Sequence, residues 1–373
     1  MAIYINILSK FDNKGFKKGQ DALTKFANAA KIASAAAVGA VGAIGYQSVK
    51  AFASFDAQMT KSLAIMGDVS ESLQKEMSDA AREVAKSTTF SADQAAESYF
   101  FLASAGLDAT ASIKAMPKVA AFAQAGMFDM ALATDLLTDA QSALGLTIRD
   151  DAVKNMENMV RVSDVLVKAN TLANASVEQF STALTTKAGA SLRALGKDVE
   201  EGVAVLAAFA DQGIKGELAG TQLGIVLRDL TTKAIKNESA FKRMGVEVFD
   251  SNGEMNNMAD IIGDLEGALD GMSDETAKAT LLQMGFSDKS LASIMALMGT
   301  SEAIRAYEED LREAGGTTET VADKQLGTLM AQLDLLKSKF IDMGIGIGAS
   351  LEPVISGFVE NMGPVLDELE PKL

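Results

Sequence analysis

The sequence predicts an almost entirely α-helical fold, and three observations carry that expectation. Apolar residues recur at spacings of three and four along most of the chain, the periodicity of a buried helical face. Short polar residues stand just before several of these runs and glycines just after them, as helix starts and stops require. Only 4 prolines fall in 373 residues, so little interrupts a helix. The side chains suit close packing of helices: hydrophobic residues make up 48%, yet aromatics only 6%, with no Trp and 19 Met. The expected architecture is a compact multi-helix core with one small β-hairpin, a short N-terminal strand, and long apolar or coiled-coil-like helices.

Taken in order, Ile3, Ile5 and Ile7 alternate with other residues, which predicts a short half-buried strand acting as an edge or docking arm, or else a disordered leader. No charged residue lies between Lys31 and Lys50. A signal peptide does not fit, because Lys10, Lys14, Lys17 and Lys18 lie far upstream with Asp12 and Asp21 among them. The length is at the lower edge of a membrane span, but Ala and Gly are weakly hydrophobic. Ala35, Gly39 and Ala43 form a stripe of small residues that lets helices approach closely. Ile32–Val49 therefore reads either as a buried helix contact or as a conditional membrane insertion.

Residues 55–146 read as four helices. Met59, Leu63, Met66, Leu73 and Met77 keep the helical spacing, Ser91 with Gln94 makes a capping box, and Gly106, Gly126 and Gly145 mark helix ends. The same pattern continues through Met156, Met159, Val160, Ser163 and Val167. Two further helix starts follow at Ser176 with Gln179 and at Asp198 with Glu201. Val203, Leu206, Ala207 and Ala210 fall on one apolar face, Gly213 is placed to end that helix in a left-handed conformation, and Leu223, Val226, Leu227 and Leu230 repeat the spacing.

Past Gly245, Val246 to Met255 reads as a small β-hairpin around the Asn252-Gly253 turn. The acidic loop there lacks the ligand spacing of a calcium-binding EF-hand. Near the end, Leu326, Leu329, Leu333, Leu336, Phe340, Met343 and Ile347 follow a strict 3–4 alternation, an a/d seam of about three heptads. Lys337 and Lys339 flank it with like charge. The seam reads either as a coiled coil or as an amphipathic helix packed on its own chain. From Gly344 the chain becomes Gly-rich and apolar, with Glu352 and Pro353 spoiling a clean span.

Several separated motifs, in order, resemble the conserved core of phage tail tape measure proteins. They are Gly196-Lys197-Asp198-Val199-Glu200-Glu201, Leu206-Ala207, Asp211-Gln212-Gly213-Ile214-Lys215-Gly216 and Ala219-Gly220-Thr221-Gln222-Leu223. Upstream, Phe55-Asp56, Thr88-Thr89-Phe90-Ser91, Gln94-Ala95-Ala96-Glu97 and Ala105-Gly106-Leu107 extend the similarity, which covers about Ala51 to Met272. Gly224 departs from the pattern, since many relatives are expected to carry a basic residue there.

The resemblance implies a structural tail protein that occupies the tube lumen, sets tube length during assembly and assists genome delivery through the host envelope. Implied partners are further copies of itself, tail tube subunits, the distal tail or baseplate hub and assembly chaperones, with the host membrane after ejection. The implied location is the tail lumen or tip in the virion, and the host cytoplasm during assembly. Three regions are expected: 1–54 as strand and Ala/Gly-rich helix, 55–316 as the core, and 317–373 as a heptad helix leading into an apolar segment. Fully helical, the chain would reach only roughly 560 Å, so a ruler segment beyond Leu373 is expected. Two readings from other classes are a membrane-active channel built from Ile32–Val49 and Ile345–Val359, and a cytosolic helical adaptor.

Cys and His are both absent, which removes disulfides, thiolate chemistry, common zinc sites and every triad built on those residues. The net charge of −16 argues against a nucleic-acid-coating surface. No phosphate-binding glycine loop follows a predicted strand, and runs such as Glu308-Glu309-Asp310 read as a solvated helix face. No catalytic, cofactor-binding or metal site is expected.

Overall fold

The computed structural model describes residues 35–369. The strand expected at Ile3–Ile7 lies outside the described residues. The chain divides into two compact units, residues 1–120 with 326–373 and residues 121–325.

In the first unit, α1 (Ala35–Met66) packs against α3 (Ala92–Ser104) and against α17 (Leu329–Leu369), a helix of 41 residues. Helix α2 (Glu71–Ser87) lies on α3 and α17. The Met stripe of the sequence crosses a break, because Gly67 at φ +79° ends α1 before Ser70 caps α2. Small residues set the α1–α17 spacing: a Cβ on Gly348 would lie 2.4 Å from the Ser48 carbonyl oxygen and 2.5 Å from the Phe52 Cβ. Such an approach is open only to glycine. Arg82 of α2 grips Asp342 of α17 through two nitrogens, at 2.6 and 3.2 Å. Buried Tyr99 donates to the Met77 carbonyl at 3.0 Å, and burial pushes its hydroxyl pKa up.

The second unit starts within α4 (Ala109–Gly126) and continues through α5 (Met130–Ala143) and α6 (Ala152–Leu172). Gly126 ends α4, but the left-handed turn residue is Met127, at φ +56°. Phe128 folds back so that its ring covers Gly126 and meets Phe122 edge-on at 5.5 Å. Next come α7 (Val177–Ala183), a π-helical turn (Leu184–Ala188), α8 (Gly189–Ala194), α9 (Val199–Asp211) and α10 (Gly216–Lys236). Helix α9 is the centre of this unit. Every residue from Val199 to Ala210 is buried, so the single apolar face read from the sequence is a helix enclosed on all sides. The chain continues through α11 (Glu238–Met244), α12 (Met258–Leu269), α13 (Asp274–Gln283), α14 (Asp288–Leu297), α15 (Ser301–Arg312) and α16 (Thr317–Leu326), of which α15 packs most closely on α9 and α14 touches it.

The fold is all-α, and the expected hairpin is corrected: among the described residues there is no strand. Phe249 and Met255 form one isolated antiparallel bridge. Two backbone bonds cross beside it, from the Asp250 N–H to the Glu254 carbonyl at 2.8 Å and from the Asn256 N–H to the Val248 carbonyl at 2.9 Å, and side chains make further bonds in place of a longer ladder. The Glu247 N–H donates to the Asp264 carboxylate at 2.9 Å, and its carbonyl accepts from the Asn256 amide at 2.9 Å. Asp250 accepts from the Asn252 and Glu254 amides at 2.8 and 2.9 Å, closing a plain turn, and those backbone donors hold its carboxyl below the usual range. Val246 and Val248 are both buried, and that burial needs no extended ladder.

Among the described residues no helix is long and apolar enough to cross a membrane. The membrane reading of Ile32–Val49 and Ile345–Val359 thus finds no support where the structure describes them; Ile32 to Ser34 lie outside.

Candidate functional site

The motif residues converge on the α7–α10 region. Asp198 caps α9 by accepting from the Glu201 N–H at 3.0 Å. Glu201 does not complete the capping box by reaching back. Its carboxylate accepts instead from the Met258 N–H at 2.7 Å, at the start of α12, and pairs with Lys197 at 3.1 Å. Both partners of that ion pair are buried, and Lys197 also donates to the Asn256 carbonyl at 2.8 Å. Burial raises the Glu201 pKa, and Lys197 only partly offsets this. By contrast Ser176 and Gln179 form the full reciprocal box, at 3.1 and 3.0 Å.

Gly213 closes α9 at φ +79°, with the Ile214 N–H donating to the Phe209 carbonyl at 2.9 Å. Gly216 opens α10 at φ +58°, while Ala219 and Leu223 are buried. Gly220 has a different role. A Cβ there would lie 2.1 Å from the Ala183 carbonyl oxygen, so α10 rests backbone to backbone on the end of α7, where the π-helical turn begins. Thr221 is half-buried beside it. At Gly224 an added Cβ would stand 3.3 Å from both the Lys187 Cβ and the Ser191 Oγ, so a larger residue needs those neighbours to give way.

Charged side chains bind the start of α9 to three other helices. Arg161 of α6 holds Glu200 with two nitrogens, one at 2.7 Å, and lies 3.9 Å from Asp198. Arg312 of α15 meets Asp198 at 2.9 Å and also binds Glu308. Glu308 in turn accepts from the Asn257 amide at 2.7 Å, and Asn257 caps α12. At the other end of α9, Asp211 accepts from the Tyr307 hydroxyl at 2.5 Å, and that hydrogen bond, with burial, pushes the Tyr307 pKa up to about 12. The arrangement ties helix ends together. Among the described residues no cluster of three or more acidic side chains converges as a cation site.

Residues 78–287, more than half of the chain, match the family described as phage-related minor tail protein. The chain belongs to that family. The match takes in every motif stretch from Gly196 to Leu223. Two curated relatives are similar over longer stretches. The tape measure protein of Pneumococcus phage Dp-1 is 27% identical over 321 residues, 86% of this chain and 27% of the relative. The probable tape measure protein of Escherichia phage P2 is 27% identical over 221 residues, 59% of this chain and 26% of the relative. The chain thus spans about a quarter of the length of the curated relatives it matches. No solved structure matches it significantly.

In this minor tail protein core Asp198 and Gly213 start and stop α9, while the partners on distant helices were not visible in the sequence. Asp164 is the clearest omission. It is buried on α6 and accepts from the Gly316 and Thr318 N–H groups at 2.8 and 2.9 Å, capping α16 from 152 and 154 residues away. Beside it Ser163 bonds Thr318 at 2.8 Å. A lone Asp within an apolar helical run was the available signal, since such a residue is rarely buried without partners.

The other candidate residues lie in the first unit. Ala35, Gly39 and Ala43 are in the first turns of α1. Leu326 ends α16, and the rest of the heptad seam lies on α17. There Leu329, Leu333, Leu336, Phe340 and Met343 are between 52% and 78% exposed.

Proposed function

We propose that this chain is the core portion of a tail tape measure protein: a structural, non-catalytic component that occupies the tube lumen and sets tube length as subunits polymerise around it. The observation that carries the proposal is the family match over residues 78–287 together with the similarity to tape measure proteins from two phages. The fold is compatible with it. A helix advances about 1.5 Å per residue, so helical chain length converts directly into tube length. In this reading the compact core, 55–316, is an assembly module, and the helices flanking it carry the contacts to further copies, tube subunits, the distal hub and assembly chaperones. Quantitative mass spectrometry of purified tails tests it. Peptides of this chain in tails, far below the tube subunit in abundance, support the proposal, and their absence from tails overturns it.

A further inference from the structure

The a/d seam of α17 and the face by which α17 packs on its own unit are opposite sides of one helix. With Leu333 and Phe340 at a and Leu336 and Met343 at d, the f positions are Ala331, Ser338 and Ile345, and all three are buried. The seam is therefore a second apolar face, left uncovered among the described residues. It borders a groove of about 970 Å³ with small side chains of α1, including Ser48 and Ala51, along its other wall. Strict 3–4 spacing fits a partner of the same pitch, which is another helix.

The charges around the groove indicate what kind of helix. Lys50 and Lys337 line it and Lys339 flanks the seam, all three exposed and without an acidic partner among the described residues. Against them stand Asp334 and Asp93, the latter already accepting from the Ser54 hydroxyl at 3.0 Å. A basic rim is thus set within a chain of net charge −16. A second copy presenting the same face would bring the same lysines to the same rim. We propose that the α17 seam and its groove dock an amphipathic helix of a different protein, with Leu-type residues on its apolar face and acidic residues on its flanks. This inference does not rest on the tape measure reading and stands or falls separately from it.

The test uses the full chain and two labelled three-heptad peptides, both with Leu at a and d and differing only in Glu or Lys at e and g. Fluorescence anisotropy at low salt should show the Glu peptide binding about tenfold tighter, as about three rim pairs would give. That preference should shrink as salt screens the rim. Phe340→Asp should abolish binding, and Lys50→Glu with Lys337→Glu and Lys339→Glu should transfer the preference to the Lys peptide. All four side chains are exposed, so thermal melts should match the parent. Equal affinity for the two peptides, or binding of neither, overturns the proposal. So does self-association in sedimentation equilibrium that Phe340→Asp removes, which would assign the face to a second copy.

Discussion

Two residues of the motif region show how much rests on single positions. Gly220 allows α10 to touch the α7 backbone, and Gly220→Ala would force a methyl to within 2.1 Å of a carbonyl oxygen. The expected loss is about 2–3 kcal/mol from overpacking, read in urea unfolding. Gly213→Ala, with open space around its Cβ but φ +79°, should cost only about 1 kcal/mol. The Lys197–Glu201 pair gives the electrostatic counterpart. Lys197→Met leaves a buried carboxylate without its cation and should cost about 3 kcal/mol, while Lys197→Met with Glu201→Leu recovers much of that loss. A double mutant no more stable than the single would contradict the pairing. Asp198 was legible in the sequence because capping is local. The second partner of Glu201 was not, because Met258 is 57 residues away and its backbone N–H leaves no trace in composition.

At the scale of elements, the pairing of α1 with α17 holds the first unit together, and it contains a titratable contact. The Asp56 carboxyl pKa is raised by burial first and by the nearby Glu352 charge second. A raised pKa means that the folded form holds its proton more tightly than the unfolded form. The stabilisation is present below the ordinary value of 3.8 and is lost as pH rises through the elevated one. Urea unfolding between about pH 4 and 7 should therefore show parent stability falling relative to Asp56→Asn as pH increases. A constant difference between the two would refute this. The heptad pattern located α17 but named only one of its faces, because the buried f positions Ala331, Ser338 and Ile345 carry no common hydrophobic signature. The hairpin was misread for a related reason. Alternation at Val246 and Val248 reports burial, and burial against helices produces it as readily as a sheet does.

For the whole molecule, helical periodicity made the fold class readable, and the order of separated motifs made the family readable. The union of residues 1–120 with 326–373 was not, since no local pattern records which distant helices meet. The family match that defines this core, residues 78–287, draws on both compact units, and the tape measure proposal assigns the length-setting role to helical chain outside it. The most direct measurement is tail length by electron microscopy in phage carrying in-frame deletions or duplications outside the segment that encodes this core. The account predicts tails shortened or lengthened by about 1.5 Å per residue removed or added. Assembled tails of unchanged length across such a series would contradict it.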